Sequence, residues 1–168
     1  ILFLKKKFKN LNYKKLENIN LQNPKISEFS ARIAKKNEVR KILKKFQIDF
    51  SNKYKNCCIE GRDISTKILP KSDIKFFFKC SLNTAAYRRY KELKKNTPKI
   101  KLEDVKKALR IRNILDTKRK NSPLLKHRDS IEIDTGKLDK RAMLAKMSKF
   151  VESKIKQKYG NRARIKKE

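Results

Sequence analysis

The amino-acid sequence predicts an α/β fold, an open parallel sheet covered by helices, that is truncated at its N-terminus. Three observations lead there. Short runs of strand composition are separated by helical patterns of roughly 10 to 20 residues, the spacing of parallel βαβ connections. A length of 168 residues with 38% apolar side chains, nine Phe and five Tyr among them, is enough for about one packed domain. The chain opens on Ile1 rather than Met, inside the apolar run Ile1-Leu2-Phe3-Leu4, and this suggests that a preceding segment is missing.

Ile1 to about Ile26 is rich in Lys and Asn, with apolar islands at Ile1 to Leu4 and Leu16 to Leu21, and reads as a strand or irregular hairpin ending at Pro24. From Ser27 the pattern is helical. Phe29 and Ile33 lie four apart and mark a short helix; after an N-cap at Asn37, the residues Val39, Ile42, Leu43, Phe46 and Phe50 mark a longer one. Cys57 to Glu60 is an apolar run closed by Gly61, expected as a buried strand with a tight turn after it. Ile74 to Cys80 carries the strongest strand pattern of the chain, and Ser81 is placed to cap a helix reaching about Lys95, broken by Thr97-Pro98. Leu102, Val105, Leu109 and Leu115 define an amphipathic helix to about Lys120, ended by Ser122-Pro123. Ile131 to Asp134 is a further strand closed by Thr135-Gly136. The last helix starts near Asp139, with Leu144, Met147, Val151 and Ile155 on one face and the Met143 and Met147 pair in the core. The tail from Gly160 to Glu168 is basic and reads as frayed.

A formal charge of +32, from 49 basic against 17 acidic residues, points first to a polyanion-binding protein. The lysines are nevertheless scattered through the helices among Asn and Ile, as a bias toward AT-rich codons would scatter them. The 12 Arg are the more informative cations, because a guanidinium grips phosphate bidentately. Cys57, Cys58 and Cys80 lack metal-ligand spacing and read as small buried hydrophobes in a reducing cytoplasm. No metal site is expected from the residues present. No apolar stretch reaches the roughly 18 residues of a membrane span.

Two constellations carry possible chemistry. Glu60-Gly61-Arg62-Asp63 follows a predicted strand, and in open α/β sheets ligands bind beyond the carboxyl ends of strands, where an Arg and an Asp can hold a phosphate and a polar base edge. A turn with a local Arg-Asp pair explains the same four residues. Arg112, Asp116 and Arg119 fall at i, i+4 and i+7 on one helix face, an arrangement that can clamp phosphates while the Asp accepts from a sugar hydroxyl. Its plain structural reading is a surface ion-pair ladder.

In order along the chain, these segments resemble the cytidylate kinase family. Glu60-Gly61-Arg62-Asp63-Ile64 with Pro70, then Lys75-Phe76-Phe77, then Ala86-Tyr87-Arg88-Arg89-Tyr90-Lys91-Glu92-Leu93 follow the family's succession. Arg112, Asp116, Arg119 and Ser122-Pro123-Leu124 resemble its lid, and Ile133-Asp134-Thr135 its last strand. Upstream, Pro24, Ser27, Ala34, Val39-Arg40, Gln47 and Phe50 fit its nucleotide-binding insert. The resemblance runs from about Leu16 to Ile155.

It implies a nucleoside monophosphate kinase of the phosphate-loop type, transferring the ATP γ-phosphate to CMP or dCMP with Mg2+, cytoplasmic, and monomeric when complete. It divides the chain into a partial CMP-binding insert (1–55), core strands and a helix (56–100), a lid (101–125), a core strand with the C-terminal helix (126–160) and a basic tail (161–168). Arg40 and Asp63 would read the cytosine edge, Arg112 and Asp116 would hold the ribose, and Arg62 and Arg119 would grip phosphate as the catalytic pair, Arg119 arriving from the lid. Departures from the family pattern are Leu21-Gln22-Asn23-Pro24 for Ile-Arg-Thr-Pro, Ala31 for a ribose-supporting serine, and Asn113 and Leu115 in the lid. No G-x-x-x-x-G-K-[ST] run occurs: the glycines are Gly61, Gly136 and Gly160, and Gly136-Lys137 is followed by Leu138. The resemblance implies no specific nucleic-acid or membrane partner. An inactive kinase remnant and a basic RNA-binding or ribosome-associated protein are the alternatives.

Overall fold

The computed structural model describes residues 2, 3, 6, 24–34, 36–54 and 56–160. Apart from residues 2, 3 and 6, the expected N-terminal strand or hairpin up to Pro24, with the Leu21-Gln22-Asn23 departure, and the tail from 161 lie outside the described residues. The chain divides into two compact units, one of Ile1–Pro70 with Leu82–Leu125, the other of Lys71–Ser81 with Lys126–Glu168.

The first unit is helical. Helix α1 spans Pro24–Ile33 and α2 spans Asn37–Lys53, followed by a single π-helical turn at Ile64–Ile68, then α3 (Leu82–Lys94) and α4 (Leu102–Lys118). Pro24 at the first position of α1 suits a residue that has no N–H to leave unpaired. Asn37 is the first residue of α2 rather than its cap: Lys36 holds the cap position without a side-chain bond, and the Asn37 amide oxygen instead accepts from Asn121 Nδ2 at 2.7 Å. Helix α3 packs on α4, with Ala86, Leu93 and Val105 buried. Helix α1 also packs on α4, and α2 meets the π turn.

In that turn Asp63 O accepts from the N–H groups of Thr66, Lys67 and Ile68, and Leu69 N reaches Ile64 O at 2.7 Å. Such single π turns often accompany functional sites, since the extra residue per turn redirects a side chain. Gly61 makes the approach to it possible: a Cβ there would stand 2.6 Å from Cγ1 of Ile64.

Cys57 to Glu60 is not the buried strand its composition predicts. A strand exists through its ladder, and among the described residues no strand pairs with this run. Cys57 and Cys58 are accordingly exposed, as is Cys80, so the cysteines are not core residues.

The second unit holds the sheet. Strands β1 (Phe76–Lys79) and β2 (Ile131–Asp134) run parallel with Phe76 opposite Ile131 and Phe78 opposite Ile133. Ile131 N to Lys75 O and Thr135 N to Lys79 O, both 2.8 Å, extend the ladder at its ends. Helix α5 (Lys140–Tyr159) begins as expected after Asp139, whose carboxylate accepts from Ala142 N at 2.7 Å. Phe150 meets Phe76 edge-on at 6.4 Å, and Lys158 pairs with Asp73 at 3.0 Å. The predicted apolar face of α5 is only partly covered. Met143, Met147 and Ile155 are half-buried while Leu144 is 64% exposed and Val151 is also exposed. Two four-residue strands offer too little apolar surface to cover twenty helical residues.

Candidate active site

All six singled-out residues belong to the first unit, and their side chains form one ion-pair network. Asp63, just before the π turn, and Asp116, near the end of α4, are its two anions, and both carboxylates are buried. Asp63 is held on one oxygen by Arg40 of α2 and lies 3.9 Å from Arg119 Nη2 on the other. Asp116 faces three guanidiniums: Arg62 at 3.1 Å, Arg119 at 3.5 Å and Arg112 at 3.9 Å. Arg40 also donates to Ala34 O at 3.3 Å, so the loop between α1 and α2 helps to hold it.

The helical spacing of Arg112 and Asp116 is realised as an i, i+4 pair. Arg119 is not on the helix, which ends at Lys118; it is the first extended residue after α4, with φ −67° and ψ 137°. It still reaches Asp116 because its side chain folds back over the last helical turn, leaving it 9% exposed.

Four guanidiniums around two carboxylates leave an excess of two positive charges in a partly desolvated place. The strain shows in the basicities. Burial, then the neighbouring Arg62, lower the Arg112 pKa from its ordinary value, with Asp116 opposing. Burial, then Arg40, lower that of Arg119, against Asp116 and Asp63. Both stay charged, since an Arg does not lose its proton in a protein. Asp116 Oδ2 and Arg119 Nη2 are buried without a hydrogen bond, the kind of open valence that an incoming donor and an incoming anion would fill.

The described residues contain no group of three His, Cys, Asp or Glu able to hold a metal ion, and both buried carboxylates are engaged by guanidiniums. No helix among the described residues is long and apolar enough to cross a membrane. Sequence reasoning missed two contributors, Asn121 through its bond to Asn37, and Ser122, whose carbonyl accepts from Arg119 Nε. The Ser122-Pro123 pair was legible as a helix stop and as part of the lid resemblance, not as a partner of Arg119.

Comparison with known proteins places the chain in a family. The family model described as cytidylate kinase matches residues 3–153. A cytidylate kinase of Clostridium tetani is 36% identical over 135 residues, 80% of this chain and 59% of the relative. One of Thermosipho melanesiensis is 34% identical over 87% of this chain and 66% of its own length, and one of Rickettsia akari is 31% identical over 82% and 63%. The chain thus spans about three-fifths of the length of the curated relatives it matches. On the match over most of its residues, the chain belongs to the cytidylate kinase family.

Proposed function

We propose that this chain carries the acceptor side of a phosphotransferase that moves the ATP γ-phosphate to CMP or dCMP, giving ADP and CDP or dCDP, in the cytoplasm. The observation that supports it best is the surplus of two guanidinium charges gathered on Asp63 and Asp116, since a nucleoside monophosphate brings a dianionic phosphate to meet it. The names of the relatives agree.

In this reading a phosphate oxygen of CMP attacks the γ-phosphorus in line as the bond to ADP breaks, and no protein base is needed because the attacking oxygen is already ionised. Positioning and charge neutralisation do the catalysis. Arg62 and Arg119 grip the acceptor phosphate. Asp116 and Arg112 take the ribose, Asp116 as acceptor for a hydroxyl. Arg40 and Asp63 present one donor and one acceptor edge to cytosine, and a base that mismatches them leaves buried groups unpaired. The 168 residues contain no phosphate-loop motif, so these roles are confined to the acceptor.

Calorimetric titration of the chain with CMP and UMP tests the reading. CMP is expected to bind at least about tenfold more tightly, as expected when buried polar groups read the base. Equal affinity for the two would refute it. In a coupled ADP-release assay the 168 residues alone should give no turnover, whereas the same residues preceded by a strand and an intact phosphate loop should. Turnover by the chain alone would mean that ATP binds where this reading does not put it.

A further inference from the structure

We propose that Ser122 is a positioning residue for Arg119, acting through its main chain. After α4 the backbone turns back on itself, and three bonds close the hook: Leu124 N donates to Asp116 O at 2.8 Å, Asn121 Nδ2 donates to Asn37 Oδ1 at 2.7 Å, and Arg119 Nε donates to Ser122 O. At its apex Ser122 has φ +54°, the one positive φ of a non-glycine residue among the described residues. Left-handed backbone is uncommon for a side-chain-bearing residue, and a following proline such as Pro123 favours extended backbone at the residue before it. Such a conformation persists only where its surroundings hold it. Here it aims the Ser122 carbonyl at Arg119 Nε.

The consequence falls on the rest of the guanidinium. With Nε engaged, the two terminal nitrogens are presented to the carboxylates, Nη1 at 3.5 Å from Asp116 and Nη2 at 3.9 Å from Asp63, and Nη2 is buried without a hydrogen bond. An arginine fixed in advance loses less freedom when an anion arrives. The hook thereby deepens the reading of Arg119 as a phosphate-gripping group, on which this inference rests.

The test compares Ser122→Val, whose β-branched side chain the left-handed region excludes, with Ser122→Gly, which tolerates it. The first readout is the Nε–H resonance of Arg119, assigned by its disappearance in Arg119→Lys. Its proton should exchange slowly in the unaltered chain and in Ser122→Gly, and rapidly in Ser122→Val. The second readout is CMP affinity, expected to fall about tenfold in Ser122→Val, the size of one weakened charge-assisted hydrogen bond, to hold in Ser122→Gly, and to fall no further when Ser122→Val is added to Arg119→Lys. Should Ser122→Val fail to fold by circular dichroism, Ser122→Thr, β-branched but still carrying the hydroxyl, carries the test with an effect in the same direction. Slow exchange persisting in the Val or Thr variant, or additive losses in the double variant, would overturn the proposal. An affinity that drops in Arg119→Lys but not in the Ser122 variants overturns it alone; one that drops in neither overturns the assignment of Arg119 to phosphate and this proposal with it.

Discussion

Asp116 has three guanidiniums within 3.9 Å and a carboxylate that is 8% exposed, so its charge is the most consequential single group in the first unit. Replacing it by Asn removes one of the two carboxylates that the four arginines share, raising their excess of charge over these carboxylates from two to three. Breaking a fully buried pair from one side costs several kcal/mol, but Arg62 and Arg112 are 40% and 36% exposed and water screens them. Asp116→Asn should therefore destabilise the chain by about 2–3 kcal/mol in urea denaturation. Added phosphate should recover part of that, because an anion bound only by the folded state stabilises it by mass action. A variant as stable as the parent, indifferent to phosphate, would reduce the network to a solvated surface ladder. The residues of this network were legible in sequence, Arg62-Asp63 as neighbours and Arg112-Asp116 at i, i+4 from local pattern, Arg40 from the ordered resemblance. The Asp63 to Arg119 approach was not: it joins positions 56 apart in the chain, and no periodicity encodes it.

Helices and strands show where local pattern suffices and where it does not. The i, i+3 and i, i+4 spacing placed α2, α3 and α4 within a few residues of their ends and α5 as starting near Asp139, because helical periodicity is a short-range effect. The run Cys57 to Glu60 has strand composition without strand structure, since pairing is a property of two segments rather than one. In the sheet that does form, Glu132 of β2 pairs with Lys79 of β1 and with Lys126 at 3.2 Å. Its carboxyl is held below the ordinary value of 4.5, first by the hydrogen bond from Lys79 and then by that from Lys126. A carboxylate whose folded pKa is depressed stabilises the fold above its unfolded pKa, and that contribution fades as pH falls through the folded value. Thermal melts between pH 7 and pH 3 should then show Glu132→Gln losing less stability than the parent below about pH 4.5. The difference should be small, the pair being solvent-exposed. Parallel acid limbs for the two proteins would show that the pair contributes nothing.

At the scale of the molecule, the net charge of +32 and the small number of buried apolar residues dominate. Among the described residues only Ile68, Ala86, Leu93, Val105 and Ile133 are buried apolar side chains, whereas Leu144, Tyr87 and Phe78 stand about half exposed or more. Binding to generic DNA or RNA should rest on phosphate contacts alone, and so should be measurable at low salt and vanish as salt rises through the physiological range, with no preference among sequences. Fluorescence anisotropy across a salt series decides this: tight, sequence-selective RNA binding at physiological salt would favour a nucleic-acid function instead. The sequence by itself determined the family, the identity of the six charged residues, the helices and the two strands that pair, because each is written in local spacing or in an ordered succession of motifs. Only the tertiary structure decided that the four arginines share two buried carboxylates, that Cys57 to Glu60 stays unpaired, and that Ser122 takes a left-handed turn to hold Arg119. Those outcomes depend on which distant segments meet, and burial, ladder pairing and charge crowding arise only once they do.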